Sequence, residues 1–435
     1  LPTTKHGHIG LGTGIGLIVA NMIGAGVLLS TGFMAQDMGA GAILLAWVFG
    51  IALALCGTQA YGAIASVSGR SGGEYRYLTD YFHPILGCLA GAGSLVLGFS
   101  APIAVDAMAI GAFAGTLGIS GDTRMLGALV IVALSVFHAT GYRSSDRTQN
   151  VLVGVKILLV LGFVAAGLAL GSWSWPAWEP PAETIGFPTT AFLANQYWIA
   201  FALSGWNAAI YAAGEFRDPT RDVPRAMFIG CLGVGVLYII VNWVFVANLT
   251  PELATVVFQY EETRVTLGHA IMEKLIGPAG GALMSIFVIV AFLAAISAMT
   301  LVGPRVYAEM ARDGYIPGLF EGRDERPPVA ALLLQTGLAL GLLFTHSILD
   351  AVASVGALLM FFTALTSLAV FKIHANPGLP DMTLGARIAA AVYAGTMAWC
   401  LFAGWDFYSG KVGWAIAAIL VLTALFFVVE KRRSR

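Results

Sequence analysis

The sequence predicts an all-α polytopic membrane protein with twelve transmembrane helices. Of its 435 residues 58% are hydrophobic and only 11% are charged, where a water-soluble chain carries roughly 25% charge. The mean hydropathy is +0.82. The apolar residues gather in stretches of about 18 to 27, enough to cross roughly 30 Å of hydrocarbon. A soluble globular enzyme, a disordered tail and a disulfide scaffold are excluded on these grounds. Twenty-three Lys and Arg against twenty-four Asp and Glu leave a net charge of −1. No broad basic face exists for nucleic acid, and the expected surroundings are the lipid bilayer.

The spans fall near 9–36, 40–66, 85–119, 122–141, 149–171 and 189–214, then near 225–249, 278–311, 328–346, 348–374, 384–404 and 410–430. The first is read as a span rather than a cleaved signal peptide, because polar and glycine residues interrupt it and many spans follow. Twelve spans put both ends on one side. Lys and Arg resist translocation, and eighteen of them, from Lys5 and Arg76 to Lys431, fall on the side of the N-terminus. Only Arg124, Arg264, Lys274 and Lys411 fall on the other. Both termini, 1–8 and 431–435, are therefore expected in the cytoplasm, with 172–188 as an extracellular loop. Cys56, Cys88, Cys231 and Cys400 each lie in a different apolar run without metal spacing and are expected as buried thiols.

Two spans are interrupted at mid-membrane. Span 1 reads Asn21-Met22-Ile23-Gly24-Ala25-Gly26-Val27, and its two glycines weaken a helix where backbone is hardest to satisfy. Span 6 carries Leu203-Ser204-Gly205-Trp206-Asn207, whose polar side chains compete for backbone hydrogen bonds. The interruptions open two five-span halves, 9–171 and 189–374, an odd offset that inverts topology. That pattern predicts an inverted repeat with a substrate site at mid-membrane, the alternative being that the glycines only let helices pack closely. Broken helices suit an amino acid: free N–H groups face a carboxylate and free carbonyls face an ammonium.

Asp106 in span 3 and Lys156 in span 5 are the charges well inside predicted spans, where each costs at least ~2.5–3.5 kcal/mol unless compensated. Counted upright at ~1.5 Å per residue, they lie roughly 20 Å apart in depth and are not expected to touch. Either is a candidate proton carrier; the alternatives are snorkelling for Lys156 and a packing or vestibule carboxylate for Asp106. Gly69-Arg70-Ser71-Gly72-Gly73 matches GxSxG but lies in a loop without a triad. No nucleotide loop, HExxH site or other cofactor motif occurs, so neither enzyme activity nor a cofactor is expected.

Four stretches together resemble the amino acid–polyamine–organocation superfamily: Ile23 to Val27, Ser68 to Tyr75, Phe201 to Ala226 and Ala308 to Pro317. The resemblance covers about residues 9–430 and implies the LeuT-type fold of five plus five inverted spans, followed here by two more in 375–430. It implies a secondary active transporter in the inner or plasma membrane that moves amino acids by alternating access. In such transporters the substrate carboxylate meets N–H groups matching Ala25 and Gly26, and the ammonium meets carbonyls matching Met22, Phe201 and Ser204. The expected binding set is Met22, Ile23, Gly24, Ala25 and Gly26 with Phe201, Ala202, Ser204, Gly205 and Asn207.

Phe201 holds the place of an outer aromatic lid. The Gly-Trp-Asn run ending at Asn207 resembles transporters of mostly neutral amino acids. Lys156 aligns with a lysine that resembles a substitute for bound sodium, nearest Ala20 and Ser297. With Asp106 these three form the expected coupling set, and sodium-independent transport by proton coupling or exchange follows. A cationic amino acid or polyamine transporter using Asp106, or a non-transporting sensor on the same fold, remains open, as does an accessory subunit.

Overall fold

The computed structural model describes residues 9–69, 71–140, 145–181, 186–322 and 328–433. Lys5, His6, His8, Arg70, Arg143, Arg323, Arg326 and Arg435 lie outside the described residues. Among the described residues the β pairing is one parallel bridge, Ile9 with Phe216, and the rest of the regular structure is helical.

Local sequence explains where the helices begin and end. Span 2, Ala40–Ser68, stops at Gly69, whose φ of 56° suits the left-handed residue that closes a helix. Span 7, Pro219–Asn248, starts with Asp218 accepting from the Arg221 N–H and with proline in its first turn. Span 10 opens on a reciprocal capping box between Ser347 and Asp350.

Seven helices among the described residues are long and apolar enough to cross a membrane, or eight with Leu11–Met22 and Ala25–Met34 counted as one span bent by 41°. Thr123–Ala139 and Val329–Thr345 are apolar but shorter, at 17 residues each. The expected turn between spans 11 and 12 does not form: Leu384–Arg433 is one helix of 50 residues. Only Gly410 interrupts helix propensity in Trp405 to Lys411, and without proline it is too weak a stop. Cys88, Cys231 and Cys400 are buried free thiols, whereas Cys56 is partly exposed.

Span 1 packs through Leu11–Met22 on span 7, and through Ala25–Met34 on the Gln196–Leu203 segment of span 6. Span 8, Pro278–Arg312, lies along spans 3 and 5. The core is therefore built around the two interrupted helices.

Candidate functional site: two helix breaks in contact

Span 1 stops at Met22 and restarts at Ala25, leaving Ile23 and Gly24 extended. Span 6 stops at Leu203 and restarts at Ala208. Between them Gly205 turns at φ 97°, a conformation glycine adopts without steric cost.

The breaks touch. A Cβ at Gly205 would stand 2.9 Å from the Asn21 backbone, and one at Gly26 would overlap the Ala202 backbone. Close packing thus accounts for the bare α-carbons of Gly26 and Gly205. Gly24, by contrast, meets nothing nearer than the Met22 carbonyl at 3.9 Å, so its α-carbon is not crowded. No side chain caps the Ala25–Met34 helix, and its first N–H groups are left to a ligand or water.

Some carbonyls expected to meet an ammonium are already engaged. Met22 O accepts the Tyr238 hydroxyl at 2.6 Å, beside the Gly24 backbone. Phe201 O accepts the Ser204 N–H at 3.1 Å in a local turn. Tyr238 was not a sequence candidate. Its signal is Asn242, four residues on and on the same helix face: Asn242 Oδ1 accepts the Thr31 hydroxyl, so span 7 holds both halves of span 1.

Phe201 is 5% exposed, and the aromatic stack beside it is Phe33 on Trp198, with centroids 4.5 Å apart. The Asn207 amide donates at 2.9 Å to Glu74, which also accepts the Tyr61 hydroxyl at 2.9 Å. Its side chain therefore points to the loop after span 2. A cavity of about 40 Å³ borders Ser204, Gly205, Asn207, Gln196 and Tyr393, room for roughly two or three waters but not for an amino acid.

Lys156 Nζ donates to the Ala20 carbonyl at 2.9 Å, joining span 5 to the last turn before the span 1 break. The Ser297 hydroxyl instead pairs with His138 Nε2 of span 4 at 2.9 Å. Asp106 and Lys156 make no ion pair with each other among the described residues, as expected, but each acts electrostatically on the other, so they lie closer in depth than upright counting gives. Upright counting fails for Pro84–Thr116: 33 residues at ~1.5 Å each reach about 50 Å, too long to stand upright in roughly 30 Å of hydrocarbon. Asp106 is 2% and Lys156 5% exposed, so both are buried.

The amino acid permease family model matches residues 9–431. Relatives include the mouse b(0,+)-type amino acid transporter 1, 27% identical over 72% of this chain and 64% of its own length. The human large neutral amino acids transporter small subunit 2 is 26% identical over 82% of this chain and 68% of its own length. The mouse Asc-type amino acid transporter 1 is 24% identical over 98% of this chain and 82% of its own length. With apolar helices enough for a multi-pass membrane protein, and a family match over nearly its whole length, the chain belongs to the amino acid permease family, a family of transporters and not of enzymes.

Proposed function

We propose that the chain is a sodium-independent secondary transporter of neutral L-amino acids, working by alternating access with proton coupling or exchange. The observation that carries the reading is the pair of breaks in contact, with uncapped N–H groups at Ala25 and Gly26 beside the uncrowded Gly24. A carboxylate fits that N-terminus, and the C-terminal end of Gln196–Leu203, where helix carbonyls run out of intrahelical donors, suits an ammonium. The Lys156 contact with Ala20 supports its role as the cation that takes the place of sodium.

Asp106 already has Lys156 as its charged neighbour, which favours coupling over a contact with a cationic substrate. We also propose the five-plus-five inverted repeat, with the N-terminus cytoplasmic, as the frame of this cycle. The test is uptake of labelled leucine, alanine, lysine, arginine and putrescine into proteoliposomes, with and without sodium and a pH gradient. Uptake of leucine or alanine without sodium supports the reading. Uptake confined to lysine, arginine or putrescine, or strict sodium dependence, overturns it.

A further inference from the structure

The loop between spans 2 and 3 lies along the second half of span 6 as a strap. Three contacts at helical spacing hold it: the Glu74 carboxylate accepts from Asn207, Gly73 packs on the Tyr211 ring, and the Ser71 hydroxyl accepts the Gly214 N–H at 2.8 Å. Positions 207, 211 and 214 share one face of that segment. Gly72 and Gly73 have φ of 126° and 62°, so the loop turns where other residues would be strained. The strap thus ends on the span 6 break itself.

Glu74 is 5% exposed, and one oxygen, Oε1, takes both hydrogen bonds, from Tyr61 and Asn207. The residue also lines a cavity of about 20 Å³, roughly one water, between the irregular Ser94–Ser100 stretch of span 3 and Leu358, Leu359 and Phe362 of span 10. We propose that Glu74 is a positioning residue of the transport cycle, a protonatable latch that holds the strap on the broken span 6 when neutral and releases it when ionised. The proposal rests on the transport reading above.

The proton is taken from water onto Oε2, leaving Oε1 free to keep accepting from Tyr61 and Asn207. It returns to water when the strap lifts and the carboxylate hydrates. The titratable groups that face Glu74 are Tyr61 of span 2, Tyr211 of span 6 and Tyr393 of the last helix. Span 10 presents apolar side chains to the cavity. Of the neighbouring cations, Lys372 sits over the Phe82 ring and Arg387 pairs with His374.

Burial, opposed by the hydrogen bonds from Tyr61 and Asn207, pushes the Glu74 carboxyl up to about 7 from 4.5. Since the closed-strap value is raised, the closed form is favoured fully below the ordinary value, and that advantage is lost as pH rises through about 7.

The test compares wild type, Glu74→Gln and Tyr61→Phe over about pH 5 to 8. Infrared titration of the protonated carboxyl band in the purified protein needs no transport and so stands apart from the functional reading. A band titrating near neutrality in wild type and missing in Glu74→Gln is expected; its absence in wild type overturns the latch. In proteoliposomes, wild-type flux should rise with pH on the strap side. Glu74→Gln, which keeps both hydrogen bonds but cannot ionise, should be at least about tenfold slower and pH-independent. Tyr61→Phe keeps the carboxyl and should keep the pH response. A Glu74→Gln protein with normal flux and normal pH response overturns the proposal, because a merely structural Glu74 tolerates that isostere.

Discussion

At the end of the bundle away from the N-terminus, the breaks are roofed by a cation; at the N-terminal end they are floored by a carboxyl. The roof is Glu261–Val265, whose Arg264 donates to Gln36 and lies 5.6 Å over the Phe33 ring, itself stacked on Trp198. Arg264 also acts on Asp37, whose carboxyl burial pushes up from its ordinary value while Asn195 and Arg264 oppose the shift. The floor is the strap from Ser71 to Glu74, together with the Ile9–Phe216 bridge. The roof thus holds its buried carboxyl against a permanently charged guanidinium, while the buried carboxyl of the floor has only tyrosine and amide donors. A guanidinium stays charged at any pH a cell reaches, so the two ends differ in what can open them.

The largest effect is expected at Gly32, where a Cβ would overlap the Arg264 backbone carbonyl, which cannot swing aside. Gly32→Ala should unseat the roof and reduce uptake at least about tenfold, while raising labelling from the far side of a cysteine placed at Gln36. Normal uptake would show that the roof does not need close backbone approach. Lys156→Ala should act below both closures. Loss of a charge-assisted bond to Ala20 costs about 1.5–3 kcal/mol, so flux should fall about tenfold or more with a smaller change in calorimetric substrate affinity. A pH-response retained at normal flux would make Lys156 a snorkelling residue.

Tyr238→Phe leaves the Met22 carbonyl without its donor, a loss of about 1 kcal/mol and roughly fivefold in transport. Equal effects on both faces of the membrane would separate it from either closure. The smallest effect is Arg264→Gln. A partly exposed cation–π contact is worth about 0.5–1 kcal/mol, so uptake should change about two- to fivefold, without a new pH dependence. A tenfold loss would make the cation the main lock.

The breaks were legible because Gly24, Gly26 and Ser204-Gly205 are local departures from apolar helix, and local chemistry decides whether backbone is satisfied. The partner of Lys156 at Ala20 came with the family resemblance. The destinations of long side chains were not legible. Asn207 turns to Glu74 and Ser297 to His138, because helix rotation and tilt are set by packing among many spans. Glu74 itself stood in a recognised motif, Gly72-Gly73-Glu74-Tyr75, whose function as a strap depends on Tyr211 and Gly214 more than a hundred residues away. The same motif reaches the Ala308 to Pro317 stretch, since the Tyr75 hydroxyl donates to Asp313.

The account requires that roof and floor open in alternation, never together. Spin-label distances would test this on a protein with its native cysteines replaced, with one pair at Ser120 and Gln259 across the roof and another at Arg217 and Asp381 across the floor. On adding leucine, the two distances should shift in opposite directions, and raising the pH should lengthen the floor distance without lengthening the roof distance. Two distances that move together, or a floor distance indifferent to pH, would contradict it.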